Sequence, residues 1–277
     1  MAGACAGFRI EHDGDVVRIA LGLEYDGSRF CGWQSQSSGC GVQDVLERAI
    51  SDIASEAVRV IAAGRTDTGV HASAQVVHFD TLANRPDSAW VRGVNALLPE
   101  SVAVLWAAIV PAEFHARFSA QSRRYRYVLL NHPVRPALQS GKIGWHHVPL
   151  DVEKMNEAAS YLLGQHDFSA FRAAECQAKS PIKHIYEAAI ARHGDRVVFD
   201  FHANAFLHHM VRNIVGCLVY VVTGKHDPVW LKGILEGHDR QHAAPTFAPD
   251  GLYLAGIGYD AKWQLPSTTT SRLADLG

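Results

Sequence analysis

The order in which strand-like and helix-like segments alternate most constrains how this chain can fold. In the first half the order is strand, helix, strand, strand, helix, strand, strand, over residues 16–25, 42–54, 58–63, 74–80, 87–99, 102–110 and 125–130. The second half gives a helix, two strands, two helices and a strand, over residues 151–163, 182–191, 196–203, 207–222, 227–236 and 252–259. This pattern predicts an α+β fold with mostly antiparallel sheets and helices on one face of each.

A boundary between two units is expected at residues 132–149, which hold three prolines, two glycines and little periodicity. The length of 277 residues agrees with two domains of roughly 150 residues. We predict an N-terminal α+β domain at 16–132 and a C-terminal α+β domain at 150–263, with a catalytic cleft between them. Residues 1–15 are expected to be a flexible N-terminus and 264–277 a loose tail.

The composition is that of a globular protein, with 48% hydrophobic and 19% charged residues, which excludes wholesale disorder. The formal charge of −2 means that any polyanion site must be a local patch. Five cysteines without a CxxC pair predict a reducing compartment and neither a disulfide scaffold nor a cysteine zinc site. We find no signal peptide, and the most apolar stretch, residues 206–222, is too polar to span a bilayer. These features predict a cytoplasmic protein that does not associate with a membrane.

Residues 111–150 form a locally basic stretch, with six basic side chains against Glu113 alone. Aromatic residues interrupt it, namely Phe114, Phe118, Tyr125 and Tyr127. Arginines bind phosphates and aromatic rings stack on unpaired bases, so this mixture suits single-stranded RNA. The alternative is an edge strand whose charges are simply solvated, and composition leaves both open.

One polar turn is unusually dense in hydrogen-bonding side chains and centres on Asp67. It reads GRTDTGVH over residues 64–71. An aspartate in a glycine-containing turn usually caps backbone amides and does nothing else. A hairpin tip does not need the arginine, two threonines and histidine that surround this carboxylate, so catalysis is the second interpretation. The residues alone leave both interpretations open.

Seven sequence motifs resemble those of the TruA-type tRNA pseudouridine synthase family. AAGRTDTGVHASAQVVHF resembles the active-site signature of that family. Further matches follow in order between about residues 24 and 254: EYDGSRFCGWQ, VNALLP, FHARFSAQSRRYRY, DFSAFR, NAFLHHMVRNIVG and GLYL. Several motifs in the right order are far more specific than one, and the chain is identified by this resemblance as a member of the family.

The resemblance implies a homodimeric enzyme that isomerises uridine to pseudouridine at positions 38, 39 and 40 of the tRNA anticodon stem-loop. The C1′–N1 bond breaks and C1′ is rejoined at C5, without a cofactor or metal. Asp67 matches the catalytic aspartate, a nucleophile or base. Whether it attacks C1′, adds to C6 or removes a sugar proton stays open. Arg212 matches the arginine that keeps this carboxylate ionised in a closed pocket.

The resemblance also implies the residues that contact the substrate. Tyr125 matches the tyrosine that stacks on the target uracil, and its alternative role is strand packing. Strand periodicity places Tyr125 and Tyr127 on one face and Arg124 and Arg126 on the other. Arg65 matches the residue that occupies the space left by the flipped base. RNA contacts are expected from Gln34, Arg117, Arg123, Arg124, Lys179, Lys183 and His208.

The helix predicted at 207–222 places His208, Arg212 and Gly216 in one row, because they are four residues apart. Gly216 leaves room for a neighbour to approach closely. Without the resemblance, Arg212 would be interpreted as a surface charge. Adjacent histidines at 208 and 209 point about 100° apart on a helix, so we expect no metal site there. Ser35 stands where the family often has a basic residue, so one phosphate contact is expected to be missing.

Two other functions remain open at this stage. A non-catalytic RNA-binding module would carry the same aromatic and basic residues. A glycoside or nucleoside hydrolase would also use a carboxylate at an anomeric carbon, but such enzymes usually need a second carboxylate as acid. No acidic residue stands near Asp67 in sequence, although one could fold close to it.

Overall fold

The structure is a computed structural model that describes residues 16–266. The expected flexible N-terminus and residues 267–277 of the expected tail lie outside this range. None of the helices in the described range is both long enough and apolar enough to cross a membrane.

Ten strands form one sheet within the described residues. They are β1 (Val17–Tyr25), β2 (Ile61–Ala62), β3 (His71–Thr81), β4 (Val102–Val110), β5 (Ala120–Asn131), β6 (Gly144–His146), β7 (Gly164–Asp167), β8 (Ile182–His193), β9 (Arg196–Ala203) and β10 (Leu252–Tyr259). The order across the sheet is β4-β1-β3-β10-β5-β9-β8-β7, with β2 paired to β3 and β6 to β5. The pairs are antiparallel except β10–β3 and β5–β6, which are parallel.

Five α-helices accompany this sheet in the part of the chain that is described. They are α1 (Val42–Ala54), α2 (Val94–Leu97), α3 (Val152–Ser160), α4 (Met210–Val222) and α5 (Pro228–Gly237), and a π-helical turn (Ala89–Gly93) leads into α2. The predicted α+β class with mostly antiparallel pairing is therefore confirmed.

Strand β10 joins the two halves of the chain. Leu254 of β10 pairs with Ala72 of β3 on one side and with Tyr125 of β5 on the other. The strands of both halves consequently share one continuous sheet. The division into domains at 16–132 and 150–263 remains a prediction. It assigns β10 to the C-terminal domain, although β10 lies between β3 and β5, two strands of the N-terminal domain.

Two hydrophobic cores flank this junction. In the first, Leu46 and Ile50 of α1 are fully buried together with apolar side chains of β1 and β3. In the second, α3, α4 and α5 contribute the buried side chains packed around Phe199 and Phe201 of β9. The helices of each core come from one half of the chain, but the strands cross over. Leu254 and Ile257 of β10 join the first core, and Tyr127 and Leu129 of β5 join the second.

Several element boundaries differ from the prediction, each for a local reason. The strand expected at 58–63 is paired only at β2, because the amides of Val58 and Val60 donate to side chains of α1 instead. The helix expected at 87–99 is split into the π-helical turn and α2. Asp151, the first residue of the helix predicted at 151–163, is the N-cap of α3, and its side chain accepts from the amide of Lys154. That helix ends at Ser160 rather than 163, and Gly164 opens β7 with a φ of +92°.

A disulfide joins Cys31 and Cys40, whose Cα atoms are 5.4 Å apart. The cysteine pattern did not predict this bond, because a spacing of nine residues is no recognisable motif. A backbone hydrogen bond from the amide of Cys31 to the carbonyl of Cys40 closes the same loop. The free cysteines within the described residues, Cys176 and Cys217, are both buried.

Candidate active site

The turn that carries Asp67 lies between β2 and β3 and is fixed on several sides. The amide of Val70 donates to the carbonyl of Asp67 at 3.1 Å, which closes the turn. The hydroxyl groups of Thr66 and Tyr25 are hydrogen-bonded at 2.8 Å inside the core. The fully buried Gln75 donates its side-chain amide to the carbonyl of Gly64 at 2.6 Å. These hydrogen bonds fix the conformation of the turn, and none of them uses the carboxylate of Asp67.

The carboxylate of Asp67 faces a cleft of about 1180 Å³. The cleft is lined by the turn itself, by residues 175–180 and Lys183, and by residues 205–212. Its walls therefore come from both halves of the chain. The Asp67 side chain is only 17% exposed within it.

Three basic side chains surround this carboxylate. Arg212 Nη1 lies 3.1 Å from Asp67 Oδ2, His208 Nε2 lies 3.1 Å from Oδ1, and His209 Nε2 lies 3.4 Å from Oδ2. Burial on its own would raise the pKa of Asp67. The hydrogen bond from His208 and the charges of His209 and Arg212 outweigh it, so the pKa of Asp67 lies below its usual value. The carboxylate is therefore ionised at neutral pH although it is largely removed from water.

Arg212 is held in place at both ends of its guanidinium. It extends from α4, and its Nε donates to the carbonyl of Phe247 at 2.8 Å while Nη1 reaches Asp67. Residues 245–247 can approach α4 because Gly216 has no side chain there. A Cβ at Gly216 would lie 2.4 Å from the carbonyl oxygen of Pro245. The close approach expected at Gly216 is confirmed.

The arrangement of His208 and His209 differs from the sequence prediction. The helix begins at Met210 rather than 207, and His209 before it adopts a left-handed conformation with a φ of 63°. Neither imidazole is therefore placed by helical geometry, and only Arg212 and Gly216 of the expected row lie on α4. Both rings turn toward Asp67, and the three ligand atoms lie within 4.8 Å of one another. The geometric reason for excluding a metal site was thus wrong, because these three residues can hold an ion.

Tyr125 extends from β5 into the same cleft. Its ring meets Phe206 edge-on, with 5.1 Å between the ring centroids. Burial raises the pKa of Tyr125 far above its usual value, so the hydroxyl keeps its proton. The residue thus offers both an aromatic ring and a proton donor to whatever enters the cleft.

Arg65 lies at the mouth of the cleft beside Asp67. Its side chain is exposed, and Nη1 donates to Gln177 Oε1 at 3.1 Å across the opening. This hydrogen bond joins the two walls of the cleft. Its acceptor is a neutral amide oxygen, so it does not neutralise the charge of Arg65.

Most of the expected RNA contacts line the cleft, but they are not equally available. Gln34, Arg117, Lys179 and His208 are exposed there. The guanidinium of Arg123 donates to four backbone carbonyls, those of Ala63, Arg117, Ala120 and Asn204. Lys183 donates to the carbonyls of Ser180 and Ile182. Arg123 and Lys183 therefore already stabilise the wall of the cleft.

Arg124 is not among the residues that line the cleft. It is neighbour to Tyr125 on β5, so strand alternation directs it to the opposite face of the sheet. There its Nη1 lies 2.7 Å from Glu187 Oε2. The same period-two argument that placed Tyr125 could have separated Arg124 from the other expected RNA contacts.

Sequence reasoning missed two members of the site. His209 was not selected, because the backbone conformation that turns it toward Asp67 leaves no mark in the sequence. Glu175 lines the cleft. The hydrogen bond with Asp67 is the main cause that raises the pKa of His208, and the charge of Glu175 adds to it. At His209, where burial lowers the pKa, the charge of Glu175 acts in the opposite direction. Glu175 is a second carboxylate in the cleft, the kind of group that the hydrolase alternative calls for.

This chain is similar to known proteins over most of its length. A family model described as tRNA pseudouridine synthase matches residues 23–119 and 158–260. Proteins named tRNA pseudouridine synthase A are similar along nearly their whole length. The protein of Thiobacillus denitrificans is 63% identical over 92% of this chain and 98% of its own. That of Methylobacillus flagellatus is 61% identical over 91% and 97%, and that of Dechloromonas aromatica is 58% identical over 90% and 95%.

Among solved structures, this chain matches the crystal structure of a Cbf5-Nop10-Gar1 complex with a TM-score of 0.34 and 10% identity. The match covers 81% of this chain and 60% of the other. This similarity is too low to support an inference.

Proposed function

Because the chain belongs to the tRNA pseudouridine synthase family, we propose that its cleft isomerises uridine at positions 38, 39 and 40 of the tRNA anticodon stem-loop, with Asp67 as the catalytic nucleophile or base. The family establishes the reaction class, an isomerisation of uridine in tRNA. The three positions and the role of Asp67 are the proposal.

The observation that carries the proposal is the carboxylate of Asp67 inside the cleft, in contact with three basic side chains. It is 17% exposed and lies 3.1 Å from the Arg212 guanidinium. A carboxylate must be charged to attack a carbon or accept a proton, and burial without a cation would neutralise it. The hydrogen bond from His208 and the charges of His209 and Arg212 therefore offset burial and keep the pKa of Asp67 below its usual value.

The proposed reaction is an intramolecular rearrangement, so the cleft needs to bind only the uridine of the tRNA and no second reactant. The C1′–N1 bond breaks, C1′ bonds to C5, N1 gains a proton and C5 loses one. Asp67 acts at the sugar or the base edge, and we assign Tyr125 to stack on the uracil. Because its hydroxyl keeps its proton, Tyr125 is not assigned as the base that takes the proton from C5. No step of this balance requires an oxidant, a reductant or a second substrate.

Base flipping explains the position of Arg65. Pulling a nucleotide out of its stack costs a few kcal/mol. Arg65 is exposed next to Asp67, and among the described residues its side chain makes one hydrogen bond, to Gln177. We assign it to the space that the flipped base leaves, where its planar guanidinium can stack on the remaining bases.

The test compares three proteins on an unmodified tRNA transcript: the natural chain, Asp67→Asn and Glu175→Gln. The natural chain should form pseudouridine at the three positions, and Asp67→Asn should form none while binding tRNA within roughly tenfold of the natural chain. Glu175→Gln should keep the reaction, because an isomerase needs no second carboxylate acid.

Two outcomes would contradict this function. Binding of tRNA without any pseudouridine from the natural chain would indicate a non-catalytic RNA-binding module. Release of free uracil that depends on both Asp67 and Glu175 would indicate the hydrolase alternative. Far-UV circular dichroism of each variant controls for loss of fold.

A homodimer and a cytoplasmic location are also part of the proposal, and both rest on the resemblance to the family. Light scattering coupled to size-exclusion chromatography measures the first. A mass of one chain, 30.3 kDa, at micromolar concentration would contradict the dimer.

A further inference from the structure

The cluster of Asp67, His208 and His209 has the geometry of a metal site. Their ligand atoms lie within 4.8 Å of one another, and each histidine Nε2 is 3.1–3.4 Å from a carboxylate oxygen of Asp67. In a tetrahedral zinc site with bonds of about 2.0–2.2 Å, neighbouring ligand atoms are about 3.3–3.5 Å apart. The two contacts between a histidine and the carboxylate already match this spacing, although the histidines meet different oxygens of Asp67. The widest separation in the cluster is at most 4.8 Å, so seating an ion requires the side chains to close by up to roughly 1.5 Å.

The donor set also selects the kind of ion. Two imidazole nitrogens and one carboxylate oxygen suit zinc and similar divalent transition metals. Magnesium prefers six oxygen ligands and gives up its water reluctantly, so it does not fit two nitrogen donors. The site therefore distinguishes zinc from the magnesium that accompanies RNA.

One neighbour opposes the ion. Arg212 Nη1 lies 3.1 Å from the same carboxylate, and its charge would repel a cation bound there. The side chain is anchored to the carbonyl of Phe247, so it cannot move away freely. A metal held here will thus be bound less tightly than in a structural zinc site and will exchange with solution.

We propose that Asp67, His208 and His209 bind a zinc-class divalent ion when the cleft holds no RNA, and that this ion inhibits the enzyme by occupying the catalytic carboxylate. The ion is an inhibitor and not a cofactor. The inhibition rests on the proposed function, because it requires that Asp67 be catalytic. The binding does not, since it depends only on the three ligand atoms.

Direct binding is measured first, without RNA. Isothermal titration calorimetry of the full chain with zinc chloride measures the number of ions bound per chain and their affinity. Visible absorption on adding cobalt chloride reports whether nitrogen and oxygen atoms are the ligands. The chain has 16 histidines, so the result is read as a difference between variants. His209→Gln should lose one ion per chain or weaken it roughly tenfold or more. His193→Gln, at the exposed end of β8, is the matched control and should bind as the natural chain does.

Asp67→Asn provides a second variant in case His209→Gln is poorly folded. Its amide is a poor ligand for zinc, so the same ion should be lost. Unchanged zinc binding in both variants would overturn the proposed site.

Inhibition is measured second, as pseudouridine formed with and without zinc. Each rate is divided by the metal-free rate of the same variant, which removes any effect of the substitution on catalysis. Micromolar zinc should inhibit the natural chain, a chelator should restore the rate, and an equal concentration of magnesium should have no effect.

His209→Gln should resist zinc by the same factor as its binding is weakened. Equal inhibition of the natural chain and His209→Gln would show that zinc acts on the RNA or elsewhere and would overturn the inhibition. If the metal-free protein forms no pseudouridine at all, the proposed function fails, and the binding measurements still decide the site.

Discussion

Gly216→Ala tests whether the close contact between α4 and residues 245–247 positions the catalytic arginine. An added Cβ would lie 2.4 Å from the carbonyl oxygen of Pro245. Carbon and oxygen in contact are normally about 3.3 Å apart, so one of the two segments must move by roughly 1 Å. The obstacle is backbone, which cannot swing aside as the end of a flexible side chain can.

Two effects on stability oppose each other. Alanine is favoured over glycine inside a helix by about 1 kcal/mol. Overpacking of a well-packed contact costs typically 1–3 kcal/mol. The second effect should be the larger, so we expect the free energy of unfolding to fall by about 1 kcal/mol.

Activity should fall more than stability. Phe247 accepts the hydrogen bond from Arg212 Nε and donates its own amide to the carbonyl of Arg212. A shift of residues 245–247 therefore moves the guanidinium relative to Asp67. A misplacement of about 1 Å can cost up to roughly 100-fold in rate, and we expect a fall of about 10- to 100-fold in kcat.

Gly233→Ala is the matched control, because Gly233 lies in α5 and an added Cβ there meets nothing within 4 Å. It should raise stability by about 0.4–1 kcal/mol and leave turnover unchanged. Urea unfolding measures stability, and pseudouridine formed on a tRNA transcript measures turnover. If Gly216→Ala is as stable as Gly233→Ala and turns over at the natural rate, residues 245–247 do not position Arg212.

Three further predictions concern a charge, a titration and a surface. Arg212→Lys keeps the charge but cannot hold both of its partners at once, so kcat should fall at least tenfold in single-turnover assays. Burial lowers the pKa of His78 to about 4. The contribution of neutral His78 to the free energy of unfolding is therefore fully present above about pH 6.5, and up to about 3 kcal/mol of it is lost as the pH falls toward 4. His78→Asn, which keeps the hydrogen-bond acceptor for the amide of Ala116, should flatten this dependence in urea unfolding. Arg117→Ala should reduce the slope of log binding constant against log salt by about one unit, because it removes one phosphate contact, whereas Arg124→Ala on the other face should not.

Local sequence signals predicted most elements of this fold but not their assembly. The helices predicted at 42–54 and 151–163 depend on signals between neighbours in sequence, and α1 and α3 begin within one residue of the predicted starts. The insertion of β10 between β3 and β5 could not be predicted, because it brings Leu254 beside residues about 130 and 180 positions earlier. No local pattern encodes such a pairing.

The candidate site divides in the same way. The motif resemblance selected Asp67 and Arg212, and the structure brings their side chains to 3.1 Å. The environment of the carboxylate was predicted less well, because His209 is placed by a left-handed backbone residue just before α4. Periodicity assumed a helix through this point and therefore sent both imidazoles in the wrong directions.

The placement of β10 connects the fold to the chemistry. Asp67 precedes β3 and Tyr125 lies on β5, two strands that have no contact in the sheet order except through β10. Leu254 pairs with both strands, so the width of one strand sets the distance between the carboxylate-bearing turn and the aromatic ring. Arg212 reaches the same point from α4, which packs in the second core. The ion pair between Asp67 and Arg212 therefore forms only when both halves of the chain are assembled on the shared sheet.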